Sequence, residues 1–185
     1  MDFPVFLQHR HVHLSREDLE VLFGEAGLTI DKPLEQRGQF IAQERVSIHG
    51  PHGSFDDVCV IGPSRTHSQV ELSASDAFAV GVEAPLRLSG DTDRCPTVVL
   101  KTTYGERPVA VHVIVPMRHL HVPPDIAQSH GLSHQATVSV RLKGREETIL
   151  KHVIVRVHPT FTPAFHLTKD EAAPFWIQTG DFVLL

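Results

Sequence analysis

The sequence predicts a mainly β protein made of two pseudo-symmetric β-barrel domains with a few short helices. Three observations lead there. Short Val- and Ile-rich segments bounded by Gly, Pro, Ser or Asp recur along all 185 residues, as strands closed by turns do. Helical stretches are few, and none is long. Arg10-His11-Val12-His13-Leu14 returns 108 residues later as Arg118-His119-Leu120-His121-Val122, and similar parts follow each copy in the same order. That period is far too long for a solenoid and points to duplication of a whole domain. The expected halves are 1–95 and 96–185. The join lies between Gly90 and Val109, and the ends are free to swap between barrels.

Taken in order, the first half offers strands at 5–8, 45–49, 55–61, 69–72, 86–88 and 97–101. The second offers 109–115, 136–142, 148–157, 165–167 and 182–185. Gly50-Pro51-His52-Gly53 and Lys143-Gly144-Arg145 read as hairpin turns. Ser15 caps a helix that stops at Gly24, with Asp18 at the capping-box position in place of the usual Glu or Gln. Ser73 or Ser75 caps a second helix ending at Gly81. A third runs over 124–130, with Pro early and Gly131 just past its end. Later in each repeat, Glu71-Leu72-Ser73 precedes Asp76-Ala77 at the spacing with which His166-Leu167-Thr168 precedes Glu171-Ala172.

Composition excludes several classes. Hydrophobic residues make up 41% and charged residues 21%, near ordinary globular values, which argues against disorder and coiled coil. A formal charge of -5, with one Trp and one Tyr, argues against nucleic acid as a partner. No apolar run approaches the roughly 18 residues that span a bilayer, and the start lacks a basic leader. The two cysteines, Cys59 and Cys95, have no CxxC spacing, which suits a reducing compartment. The expectation is a soluble, cytoplasmic chain. One number departs from the ordinary: 14 histidines against 17 Lys plus Arg. That excess suggests metal binding or proton chemistry.

Spacing narrows the choice. Residues i and i+2 of a strand share a face, so His11 and His13 can approach one cation, as can His119 and His121. Imidazole suits zinc. A lone HxH pair is more often two half-buried histidines than a metal site; two pairs at matching places in a repeat favour the metal. Catalytic zinc takes three protein ligands and keeps a position for water or substrate. The repeat supplies the third: Glu71 in one half and His166 in the other. One site is then His11, His13 and Glu71, and the other His119, His121 and His166, giving two Zn2+ per chain.

Arg10 and Arg118 precede the pairs, and alternation turns them away from the ligands, so a structural ion pair is the simpler reading for both. Arg65 follows the turn Gly62-Pro63-Ser64 and lies six residues before Glu71. Its planar fork matches phosphate or carboxylate, although on the residues alone an ordinary exposed loop arginine is the favoured reading. His67 could stand at the site's edge. The other eight histidines have no counterpart in the repeat, and neither cysteine has a catalytic neighbour.

The segments RHVHLSREDLEVLFG (10–24), KPLEQRGQF (32–40), GPSRTHSQVELSASDA (62–77), RLSGD (87–91), MRHLHVPPD (117–125) and FHLTKDEA (165–172) together resemble PduL-type phosphate propanoyltransferases. These are phosphotransacylases of propanediol-using microcompartments and their cytoplasmic relatives. The resemblance implies two pseudo-symmetric β-barrels with a two-zinc site between them. It implies acyl transfer between coenzyme A, as substrate, and inorganic phosphate, on propionyl-CoA or acetyl-CoA. It puts the zinc ligands on His11, His13, Glu71, His119, His121 and His166, and a catalytic, phosphate-binding role on Arg65. Homo-oligomerisation and coupling to an acyl kinase are further partners to consider. Three departures bear on substrate handling: Gln8-His9 replace the family's Ser-Asn, Ala173 replaces an Asn, and Cys59 replaces a basic residue. Only nine residues precede Arg10, which argues against a microcompartment-targeting extension. Two other readings use the same ligands: a zinc-dependent thioester or ester hydrolase, and a non-catalytic metal-binding module.

Overall fold

Alternating buried and exposed residues in short strands give this chain its architecture, seen in a computed structural model that describes residues 1–25, 27–102 and 107–185. In the first half, β1 (Asp2–Gln8) and β2 (His11–His13) precede α1 (Arg16–Phe23), β3 (Ile30–Pro33), β4 (Phe40–His49), β5 (Ser54–Gly62) and β6 (Gln69–Glu71). Then come α2 (Ala74–Val80), β7 (Leu86–Arg87) and β8 (Thr97–Lys101). The second half runs β9 (Val109–Pro116), β10 (His119–Val122), α3 (Pro124–Ser129), β11 (Thr137–Leu142) and β12 (Arg145–Val157). It ends with β13 (Ala164–Thr168), α4 (Lys169–Ala172), a 3-10 turn (Ala173–Phe175) and β14 (Phe182–Leu184). No helix among the described residues is long and apolar enough to cross a membrane.

The protein is mainly β, with two closed six-stranded barrels. One ring runs β4-β5-β2-β6-β9-β8 and back to β4, with β3 added to β4 and β7 to β9. The other runs β11-β12-β10-β13-β1-β14 and back to β11. The rings match strand for strand. β2 and β10 each pair parallel on one side and antiparallel on the other, in the same order. Even the irregularities correspond: Asp57 (φ 55) in β5 and His152 (φ 56) in β12 stand where each long hairpin slips register. An extra residue at such a slip bends the strand, which helps a sheet of six close on itself.

The first strand of each repeat is exchanged. β1 runs into β2 along the chain but hydrogen-bonds to β13 and β14. β9 runs into β10 but hydrogen-bonds to β6 and β8. The two compact units are therefore Arg10–Pro116, and Met1–His9 with Met117–Leu185. Positions 95 and 96, where the sequence suggested dividing the halves, fall inside the first unit, because β8 and β9 complete its ring. Residues 103–106, within the stretch expected to hold the join, lie outside the described residues.

Each unit has its own core. In the first, Val12, Leu14, Val46, Ile48, Val58, Val60, Val70, Val113 and Leu100 are buried, and α1 adds Leu19 and Leu22 to the same cluster. In the second, Phe3, Val5, Leu120, Val140, Val153, Val155, Phe165 and Leu167 fill the ring. Each such side chain contributes about 1.5–3 kcal/mol by leaving water. The helix ends follow local chemistry. Ser15 and Ser73 cap α1 and α2 by accepting from Asp18 N and Asp76 N, and Gly24 and Gly81 close them in the left-handed region. α4 has a full capping box between Thr168 and Glu171. β3 was not foreseen: all four of its residues are exposed, so no alternation marked it.

Candidate active site

Core packing decides which side chains reach the site. Val12 is buried in the first barrel's core, so strand alternation sends His11 and His13 to the other face. Val70 is likewise inward, which turns Gln69 and Glu71 the same way as the histidines. β2 and β6 pair antiparallel with His11 opposite Glu71 and His13 opposite Gln69. The ligand atoms of His11, His13 and Glu71 all lie within 4.8 Å of one another. His11 Nε2 is 3.5 Å from Glu71 Oε2, and His13 Nε2 is 3.8 Å from Glu71 Oε1. A tetrahedral zinc with bonds of about 2.0–2.1 Å sets its ligand atoms about 3.4 Å apart, so the donor set suits that ion in type and spacing.

The protonation states agree. His13 Nδ1 faces the Ile61 carbonyl at 3.1 Å. A carbonyl only accepts, so Nδ1 carries the proton and Nε2 keeps its lone pair, the usual outer-shell device for a ligating imidazole. Burial, then the nearby His11 and Arg65, push His13 well below its ordinary value and keep it neutral, against the opposing pull of Glu71 and Ile61. Burial alone would raise the Glu71 carboxyl. The His11 and His13 rings, the Ser89 hydroxyl and Arg65 outweigh it and bring Glu71 down to about 2. Glu71 is therefore ionised while His13 carries no charge, which is the protonation state a divalent cation's ligands need.

Glu71 is also held from behind. Gln69 Nε2 donates to Glu71 Oε1 at 2.6 Å and to Ser89 Oγ at 3.0 Å, and Gly90 N donates to Gln69 Oε1 at 2.7 Å. Arg65 Nη1 donates to the same Ser89 Oγ at 2.7 Å. Arg65 thus reaches the edge of the cluster and is one of the charges that acts on both His13 and Glu71. Sequence reasoning missed Gln69 and Ser89. In the repeat Gln69 corresponds to Ala164, which leaves no matching pair to notice, and Ser89 lies inside the RLSGD segment without an obvious role.

In the second barrel β10 and β13 pair with His119 opposite His166, the counterpart of His11 opposite Glu71. Leu120 and Phe165 point into the core, which puts His119, His121 and His166 on the other face. Their rings gather closely, with centroids 4.6 Å apart for His119–His121, 5.1 Å for His119–His166 and 4.5 Å for His121–His166. His119 Nδ1 faces the Met117 carbonyl at 2.8 Å, so Nδ1 carries the proton and Nε2 keeps its lone pair; the ligand-atom spacing that suits a metal is found at His11, His13 and Glu71. Burial, then the neighbouring His119 and His166, drive His121 far below its ordinary value, so it is neutral. Phe161 stacks on His121 with centroids 3.8 Å apart, and Phe6 stacks on His166 at 5.6 Å.

The remaining residues fall as follows. Arg10 grips Asp76 with two hydrogen bonds, at 2.9 and 3.2 Å, and lies over the Phe55 ring. Arg118 meets Glu171 at 3.4 Å. The two ion pairs are equivalent in the repeat, and each ties the strand bearing an HxH pair to the helix that follows the third residue of its cluster. Cys59 pairs in register with His11 on the neighbouring strand. Gln8 pairs with Thr168, and Ala173 ends α4.

Comparison with known proteins gives the family. The family profile described as phosphate propanoyltransferase matches residues 4–178. A phosphate propanoyltransferase of Thermotoga maritima is 42% identical over 183 residues, covering 98% of this chain and 87% of the relative. The Shewanella putrefaciens protein of the same name is 40% identical, covering 97% and 86%. The Enterococcus faecalis one is 39% identical, covering 96% and 85%. With a duplicated barrel, a His-His-Glu cluster and matches over nearly its whole length, this chain belongs to the phosphate propanoyltransferase family, a family of phosphate acyltransferases.

Proposed function

We propose that this protein is a zinc-dependent phosphate acyltransferase that interconverts a short-chain acyl-CoA, propionyl-CoA or acetyl-CoA, plus phosphate with acyl phosphate plus CoA. The observation that carries this reading is the buried His11–His13–Glu71 cluster at zinc-ligand spacing with the Arg65 guanidinium beside it. Two zinc ions are assigned, one held by His11, His13 and Glu71 and one by His119, His121 and His166. When bound, zinc supplies Lewis acidity toward a carbonyl or phosphate oxygen.

The chain's own residues do the rest. Arg65 offers N–H donors in a planar fork that suits phosphate, and Ser89 orients that fork. Gln69 and Ser89 hold the Glu71 carboxylate in one orientation. His13 and His121 stay neutral and present Nε2. Phe161 and Phe6 cover faces of the His121 and His166 rings with apolar surface, which strengthens electrostatic contacts by excluding water. A phosphate oxygen attacks the thioester carbonyl carbon; the new C–O bond forms as the C–S bond breaks, and CoA leaves as the thiolate and takes up a proton. No nucleophilic Ser or Cys is required, since phosphate itself is the nucleophile.

The test follows thiol release from acetyl-, propionyl- and butyryl-CoA, with and without phosphate, on protein of measured zinc content. The expected result is phosphate-dependent release that disappears on chelation and returns with zinc. Release without phosphate would identify a hydrolase instead, and full activity in metal-free protein would overturn the zinc assignment.

A further inference from the structure

The segment that carries Arg65 is tied down on its far side. Arg65 N donates to the Leu14 carbonyl at 2.8 Å, and Arg65 bridges to Ser15. Three residues on, Ser68 Oγ accepts from Ser15 N at 2.8 Å and donates to Asp18 Oδ2 in a short hydrogen bond. The same Oδ2 accepts from Ser15 Oγ at 3.0 Å, while Ser15 Oγ accepts from Asp18 N at 3.1 Å. Asp18 stands where a capping box has Glu or Gln, whose longer side chain reaches back to the cap's own N–H. Here Ser68 serves that N–H instead, and the freed carboxylate holds Ser68. A helix cap and a loop have become one latch.

The duplicated half acts as an internal control. Ser15, Asp18, Arg65 and Ser68 correspond to Pro123, Ile126, Thr160 and Pro163, and α3 begins without any side-chain cap. The half that lacks the arginine also lacks the latch. A helix that merely needed capping gives no reason for that coincidence; a loop whose arginine must be held in place does.

We infer that Asp18 and Ser68 are positioning residues that fix the Arg65 guanidinium for phosphate. This rests on the proposed phosphate role of Arg65. A hydrogen bond to a charged group holds a loop more firmly than a neutral one, and misplacing a binding group by about 1 Å costs up to about a hundredfold.

The experiment uses the zinc-loaded full chain and reads three quantities: KM for phosphate, KM for acyl-CoA, and the Kd of inorganic phosphate by calorimetry. Variants are Ser68→Ala, Ser68→Thr, Asp18→Asn, Arg65→Ala and the double Arg65→Ala/Ser68→Ala. Ser68→Ala and Asp18→Asn are expected to weaken phosphate about tenfold in both KM and Kd, with zinc content, kcat and the KM for acyl-CoA within about twofold. Ser68→Thr, which keeps the hydroxyl, restores phosphate binding. In the double variant the Ser68 change adds nothing to the loss from Arg65→Ala. If Arg65→Ala weakens phosphate while Ser68→Ala and Asp18→Asn do not, the latch is overturned and the Arg65 role stands. If Arg65→Ala leaves phosphate binding unchanged, the Arg65 role falls and the latch with it. A uniform fall in every parameter, without rescue by threonine, makes the pair merely structural and also overturns the inference.

Discussion

His13 and Glu71 show how much chemistry a few contacts settle at the scale of single residues. One carbonyl, that of Ile61, selects the His13 tautomer, and two donors orient Glu71. Removing one of these supports should loosen the metal without removing a ligand. Gln69→Leu is expected to lower zinc affinity about 10–100-fold, the usual cost of losing an outer-shell partner, measured by competition with a chelator. His11→Ala and His121→Ala should lose zinc and acyl transfer together, read by elemental analysis and thiol release. Acid stability follows from the same groups. His13 and His121 are held below their ordinary value of 6.5 in the folded protein, so below that pH the unfolded chain binds more protons than the folded one. Linkage then lowers stability as pH falls. Glu71 adds to the loss only below its ordinary 4.5, as the pH falls toward 2. The urea midpoint of the zinc-free protein should therefore be steady near pH 7.5 and fall steadily from about 6.5 to 5. A midpoint that is flat over that range would show these imidazoles to be less buried than they are here.

At the scale of elements, the site depends on how α2 sits after β6. Its first turn holds Asp76 for Arg10, and its last residue, Val80, lies against the hairpin between β4 and β5. His52 N donates to the Val80 carbonyl at 3.1 Å. A Cβ on Gly50 would collide with that carbonyl oxygen and come within 2.8 Å of Val80 Cβ. Gly50→Ala should thus push α2 outward, costing about 3 kcal/mol, the upper part of the usual overpacking range, and reducing zinc content. Gly24→Ala makes the contrast. Its φ is +74 but nothing lies within 4 Å, so the cost is the left-handed strain of about 1–2 kcal/mol with zinc retained. Thermal melts and metal analysis of the two variants separate steric from conformational cost. Elements of this kind were legible in the sequence wherever a cap or an alternation marked them. Ser15, Ser73, Gly24 and Gly81 stand at their expected places. β3 escaped because exposed strands carry no pattern, and the latch between Asp18 and Ser68 escaped because its partners are 50 residues apart.

For the whole molecule, the duplication carried most of the information and hid one thing. It put Glu71 and His166 in equivalent places, and the registers His11 with Glu71 and His119 with His166 follow that equivalence. What periodicity does not encode is which ring a strand closes. β1 has the same alternation whichever neighbours it meets, so the sequence left the ends free to swap, and only the hydrogen-bond partners show that β1 and β9 are the strands exchanged. The exchange has a consequence for folding. Residues 10–116 contain all six strands of their ring, including β9, and enough buried Val, Leu and Ile for a core. Residues 117–185 lack β1, which leaves the edges of β13 and β14 unpaired and removes Phe3 and Val5, both fully buried, from the core. Open edges and a missing core strand rarely give an independently stable barrel. The 10–116 fragment is therefore expected to fold alone, with a cooperative melt and one bound zinc. The 117–185 fragment should remain unfolded until a peptide of residues 1–9 is added, and Phe3→Ala in that peptide should abolish the rescue, given the 3–5 kcal/mol typical of burying such a ring. Circular dichroism and amide exchange on the two fragments decide it: a folded 117–185 without the peptide would mean that β1 only decorates a ring that closes by other means.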